Sequence, residues 1–154
     1  MKYSVPHNKQ EWQTLCADAG VNMPYSEATD VLASPLSVGS KIAPNRCAYQ
    51  AMEGCDGTYG GSPDTLTRRR YLRFAEGGAG IIWFEATAVL EEGRANPRQL
   101  YIKEDNLSDF SRTVNDIKET CLKKNGYEPL VICQLTHSGR YSKPHGTPEP
   151  IIAY

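Results

Sequence analysis

The sequence has 154 residues, 40% of them hydrophobic and 23% charged, which excludes a disordered chain and suggests one domain. Lys and Arg number 17 against 18 Asp and Glu, a net charge of −1, so the basic excess of a nucleic-acid binder is missing. The longest apolar run, residues 79–84, falls far short of the roughly 20 residues that cross a bilayer, and no membrane partner is expected.

Residues 8–19 predict a short helix, with Trp12, Leu15, Cys16 and Ala19 at helical spacing. Asn8 and Glu11 form a capping-box pattern, and Gly20 stops the helix. Residues 1–10 hold no apolar stretch, so no signal peptide is expected. Residues 36–45 predict a hairpin turning at Gly39-Ser40. A strand is expected at 46–51, then a glycine-rich loop at 53–63. Ser62 and Pro63 predict the start of a second helix, as N-cap and first-turn residue. Leu66, Leu72, Phe74 and Ala75 are its expected buried side, and Gly77-Gly78 its end. Arg68, Arg69, Arg70 and Arg73 on this helix read as a solvated face.

Residues 79–88 form a near-continuous apolar run, as in a parallel strand covered on both faces. The segment 76–80 precedes this strand. A phosphate cradle needs a loop that feeds a helix, so 76–80 reads as a helix stop and turn. Residues 106–124 give the clearest helical signal: Leu107, Phe110, Val114, Ile117 and Cys121, spaced 3, 4, 3, 4. Lys123, Lys124 and Gly126 suit its C-terminal end. Residues 129–135 predict a third buried strand, and 137–154 read as loop. The order β, α, β, α, β argues for an α/β protein with a parallel sheet.

The five cysteines include no C-x-x-C pair. Four of them fall at apolar positions and read as small buried hydrophobes in a reducing compartment, so the expected location is cytoplasmic. Cys133, His137 and His145 fit no zinc spacing, and no metal is expected. In a parallel α/β fold, ligands bind at the C-terminal ends of strands. That points to residues 51–53, 85–87 and 134–137. Gln134 by itself reads as a polar strand end touching solvent.

The residues also carry a resemblance. Pro35-Leu-Ser-Val-Gly-Ser-Lys-Ile-Ala-Pro-Asn-Arg46 resembles the opening hairpin of Old Yellow Enzyme-type flavoproteins. Gly77-Gly-Ala-Gly-Ile-Ile-Trp-Phe-Glu-Ala-Thr-Ala-Val89 is similar to that family's second strand. Gly93-Arg94 with Pro97 is similar to the loop after it, and Gln134-Leu-Thr-His-Ser-Gly-Arg140 to the end of its third strand. The matches lie in order on the predicted elements and cover residues 35–140.

The resemblance implies the N-terminal part, about three β/α units, of a TIM (β/α)8 barrel at residues 35–154, after an extension at 1–34 that carries the short helix. It implies FMN as cofactor and NAD(P)H as reductant, in an NADH:flavin oxidoreductase of the ene-reductase or 2,4-dienoyl-CoA reductase type acting on a small-molecule substrate. The family's flavin contacts carry over to Ala51, Met52, Glu53, Ala86 and Gln134. A glutamine amide suits the flavin pyrimidine edge because it both donates and accepts. The family has proline where Ala51 stands, and threonine or cysteine where Glu53 stands. An ionised Glu53 only accepts, so it points away, is protonated, or lowers the flavin potential. In the family, His137 and Arg140 belong to a loop-shaping segment.

The family's substrate-holding His/His or His/Asn pair follows the fourth strand, and its FMN-phosphate contacts come from strands 7 and 8. No catalytic residue is therefore assigned in this chain. A whole barrel takes about 200 residues or more. The expected partner is the missing C-terminal barrel half or a second copy. The alternative is a non-catalytic truncated fragment, or a subunit that completes a barrel with another chain. A free-standing binding module lacks a ligand motif of its own.

Overall fold

The computed structural model describes residues 5–153 and divides the chain into two compact units, Met1–Val31 and Leu32–Tyr154. The first unit holds α1 (Lys9–Asp18). The Glu11 N–H donates to Asn8 Oδ1 at 2.9 Å, and the Glu11 carboxylate accepts from the Asn8 amide and the His7 N–H, both at 2.8 Å. These reciprocal bonds satisfy orphan donors of the first turn. Gly20, at φ +67, follows the C-terminal turn.

The second unit opens with the antiparallel hairpin β1 (Leu36–Val38) and β2 (Lys41–Ala43), which turns at Gly39-Ser40 with Gly39 at φ +58. A parallel three-stranded sheet follows, ordered β3 (Ala48–Tyr49), β4 (Ile81–Ala88), β5 (Leu130–Thr136). β3 is two residues long, shorter than the expected 46–51. At its start, Asn45 Oδ1 accepts from both the Cys47 and Gly80 N–H groups, so a side chain replaces ladder bonds. At its end, the Met52 N–H turns back onto the Gln50 carbonyl at 2.9 Å.

α2 (Thr65–Glu76) is capped by Asp64, whose side chain accepts from the Thr65 N–H at 2.7 Å, and not by Ser62. Ser62 lies in the loop before the helix instead, where its N–H donates to Thr58 Oγ1 at 3.0 Å. The buried side of α2 matches the expected one at Ala75, with Leu72 and Phe74 half-buried, but not at Leu66. Thr67, Tyr71 and Ala75, four residues apart, face the sheet, while Leu66 is half exposed. The tyrosine ring, stacked on Phe84 with centroids 4.2 Å apart, fixes that phase. α3 (Leu107–Asn125) ends at Gly126, at φ +83, as expected, and of the predicted stripe it buries Phe110, Ile117 and Cys121; Leu107 is half exposed, Val114 is half-buried, and Thr113 is buried in addition.

Both helices pack on one face of the sheet. The core joins Tyr71, Ala75, Ile82, Phe84, Phe110, Ile117 and Cys121, with Tyr49 stacked on Phe74 at its margin. Each large apolar side chain buried there contributes about 1.5–3 kcal/mol. Arg68 bonds Asp116 across the two helices. The opposite face is open at Trp83, 43% exposed, and the face that carries Phe84 is itself uncovered toward the end of β5, where Leu135 is 61% exposed. β5 is therefore not the doubly buried strand its apolar sequence predicts, because no layer covers its Cys133–Leu135 stretch and no strand pairs its far edge among the described residues. The cysteines follow suit. Cys16 and Cys121 are buried, whereas Cys47, Cys55 and Cys133 are exposed; all five are free thiols. Among the described residues, no helix is long and apolar enough to cross a membrane.

Candidate functional site

The five residues singled out for cofactor contact lie at the C-terminal ends of the parallel strands. Ala51, Met52 and Glu53 follow β3, Ala86 lies in β4, and Gln134 lies in β5. The β4–β5 register explains how two of them meet. Phe84 pairs with Cys133 and Thr87 with Leu135, so Glu85 and Ala86 together oppose the single residue Gln134. This is a β-bulge, which bends a strand and re-aims its side chains. Ala86 is half-buried and Gln134 exposed, and no described residue takes the Gln134 amide.

The segment after β3 has few main-chain partners, and side chains hold it instead. The Glu85 carboxylate, 1% exposed, accepts from the Gly54 N–H at 2.8 Å and from Arg70 at 2.7 Å. Arg70 also donates to Asp56 Oδ1 at 2.8 Å and to the Met52 carbonyl at 3.1 Å. Asp56 Oδ1 accepts from Thr67 Oγ1 at 2.7 Å as well. Burial pushes the Glu85 carboxyl above the ordinary carboxylate range, although the Gly54 N–H and Arg70 pull it back. Burial is the largest influence on Arg70 and works against its charge, but the hydrogen bond to Glu85 together with the charges of Glu85 and Asp56 outweighs it and raises the guanidinium pKa. Arg70 is thus an anchor and not part of a solvated face, and Arg68 is likewise paired.

Residues 93–101 cross above the strand ends. Gln99, 1% exposed, donates to the Ala86 carbonyl at 3.2 Å and to Thr136 Oγ1 at 3.3 Å, tying β4 to β5 beside the bulge. Arg94 donates to the carbonyls of Tyr59, Pro97 and Gln99, and its burial lowers its pKa. Gly93 has no room for a side chain: a Cβ would lie 2.7 Å from the His137 ring. This contact, with His137 Nδ1 accepting from the Gly139 N–H at 3.1 Å, gives His137 a loop-shaping role. The Glu53 carboxylate accepts from the Asn96 amide and the Cys55 thiol. Burial first, then the charge of Glu53, raise the Cys55 thiol above its ordinary value.

Sequence reasoning missed Asp56 and Gln99, read Arg70 as part of a solvated face, and placed Glu85 only within the strand-end stretch 85–87, without its partners. A buried carboxylate inside an apolar strand, Glu85 between Phe84 and Ala86, was the one available signal, since such a group needs a partner.

Solved structures share this arrangement of parallel strands and helices. A 2-naphthoyl-CoA reductase in complex with 2-naphthoyl-CoA matches with a TM-score of 0.64 and 23% identity over 75% of this chain and 17% of its own. Its match shows the fold. Morphinone reductase gives 0.56 and 25% identity over 72% of this chain and 27% of its own. An old yellow enzyme homologue from Zymomonas mobilis gives 0.55 and 25%, over 71% and 28%.

The chain is similar in fold to old yellow enzyme homologues over about 71–72% of its length. No family model matches its sequence. The chain spans between 17% and 28% of the length of these three proteins. Two of these proteins are named as reductases.

Proposed function

We propose that this chain supplies the first three strands of an FMN-binding (β/α)8 barrel, and with them one side of the flavin site of an NAD(P)H-dependent oxidoreductase. The observation that carries the reading is the bulge that sets Glu85 and Ala86 opposite Gln134, with residues 51–53 on the next strand end. The residues present fit a flavin pyrimidine edge. The free Gln134 amide both donates and accepts, and Ala51 and Ala86 carry nothing beyond Cβ to keep a ring from their main chain. FMN bound there supplies hydride transfer between the nicotinamide and an electron-poor acceptor. The chain's own part is to bind and orient, through Gln134 and the main chain of Ala51, Met52 and Ala86. Glu53, held by Asn96 and Cys55, fits the alternative in which its carboxylate is engaged away from the ring.

The open β5 edge and the exposed Trp83 and Leu135 fit a partner made of further barrel strands, in the same polypeptide or a second chain. The unpaired thiols fit a reducing, cytoplasmic setting. The test is FMN affinity, read by quenching of flavin fluorescence, for this chain alone and after complementation with strands 4–8 of a homologous barrel. The chain alone binds FMN weakly and gives no steady NAD(P)H oxidation; the complemented barrel is yellow. In it, Gln134→Leu weakens FMN by about 5- to 150-fold, the equivalent of about 1–3 kcal/mol for a polar group left without its partner. Unchanged affinity removes Gln134 from the site, and a folded complement that never takes up FMN ends the flavin reading.

A further inference from the structure

We propose that Arg70 and Glu85 are positioning residues of the flavin site: through a buried ion network they fix the main chain of residues 52–57. The flavin consequence rests on the function proposed above; the ordering of the segment stands without it.

The contacts run along the segment. Arg70 takes the Met52 carbonyl, Glu85 takes the Gly54 N–H, Arg70 and Thr67 share Asp56 Oδ1, and the Gly57 N–H donates to the Arg98 carbonyl at 3.0 Å. An ion pair that merely joined α2 to β4 would end at Glu85. Here the Arg70 guanidinium reaches past it to two partners in the segment.

Two independent observations agree. Gly54 lies so close under Arg70 that a Cβ would sit 2.1 Å from the nearer guanidinium nitrogen and 2.7 Å from Asp56 Oδ1. And Cys55, at φ +50, is the one non-glycine residue with a positive φ among the described residues. Such a backbone persists only where its surroundings over-determine it. The bonds on Gly54 and Asp56 flank Cys55 on both sides. Arg70 is also the one cation hydrogen-bonded among the carboxylates of Asp56 and Glu85, with Glu53 two residues from Cys55. Without it, like charges would push the segment outward.

Amide hydrogen exchange on the ligand-free chain tests the ordering. Arg70→Met lowers protection of the Gly54 amide about ten-fold, while the Ile82 and Phe84 amides of β4 keep theirs. Arg70→Lys, which keeps the charge but loses the planar fork, lowers it by a smaller factor of about three. It remains decisive if the methionine variant does not fold. Arg69→Met, an exposed neighbour on α2, changes nothing. Gly54 protection within two-fold of wild type in every folded Arg70 variant overturns the proposal. A second arm measures FMN affinity of the complemented barrel, where Arg70→Lys weakens binding and Arg69→Lys does not. Lost Gly54 protection with unchanged FMN affinity refutes the positioning role and leaves the flavin reading intact. A wild-type barrel that binds no FMN refutes the flavin reading, and the exchange result still decides whether Arg70 orders the segment.

Discussion

Replacing Gly80 with alanine probes how closely β3 and β4 approach at their starts. A Cβ there would lie 2.5 Å from the Asn45 carbonyl oxygen, 2.7 Å from its backbone nitrogen and 2.8 Å from its Oδ1. Non-bonded heavy atoms settle at about 3.5 Å, so the two main chains must part by roughly 1 Å. Asn45 cannot simply withdraw. Its Oδ1 accepts from the Gly80 N–H at 2.7 Å and the Cys47 N–H at 3.0 Å, and its amide donates to the Gly78 carbonyl at 2.8 Å and Tyr127 Oη at 2.9 Å. Losing about two of these bonds at about 1 kcal/mol each, with some strain from overpacking, gives about 2–4 kcal/mol. In a chain of this size that lowers Tm by about 5–15 °C. Gly126→Ala is the control. Its φ is +83, but nothing stands within 4 Å of the added carbon. It therefore carries only a conformational cost of about 1 kcal/mol, a fall of a few degrees. Thermal unfolding followed by circular dichroism compares the two. A Gly80→Ala protein as stable as wild type, or more stable than Gly126→Ala, would refute the reasoning.

Two further expectations concern the helices. The Tyr71 hydroxyl, in a side chain 1% exposed, accepts from the Glu85 N–H at 2.6 Å; burial first, then the Glu85 charge, hold its pKa well above the usual phenol range. An unfolded tyrosine ionises near pH ~10, so the stability from keeping this phenol neutral is complete below that pH and is lost as pH rises above it. Urea unfolding between neutral and alkaline pH should show that loss; Tyr71→Phe should cost about 1–3 kcal/mol at neutral pH and flatten the alkaline fall, and equal alkaline slopes would count against it. Arg68 and Asp116 pair with side chains 35% and 32% exposed, so a double-mutant cycle should return a coupling of less than about 1 kcal/mol, and a value above about 2 kcal/mol would show that solvent screening was misjudged.

The amino-acid sequence by itself determined the elements whose signals are local. The Asn8–Glu11 capping box, the Gly39-Ser40 turn and the helical periodicity of 107–121 each act within a few residues, and each of these elements appears in the structure, although the helix buries Thr113 where the stripe had Leu107 and Val114. The alternation of strands and helices likewise gave the parallel order β3-β4-β5. Only the tertiary structure decided which side of α2 is buried, because the choice between Leu66 and Tyr71 depends on Phe84 across the core. Only it showed that β5 is uncovered from Cys133 to Leu135, since an apolar run carries no record of whether a layer lies above it. The site divides in the same way. Strand ends could be placed from the sequence, so residues 51–53, 86 and 134 could be named. The bulge opposite Gln134 and the contacts of Arg70 with Glu85 and Asp56 join residues 14 and 15 positions apart or farther, where no periodicity links donor to acceptor. Those pairings exist only once the sheet and helix have been packed together, and the packing turns an arginine from a solvated helix face into the anchor of the loop.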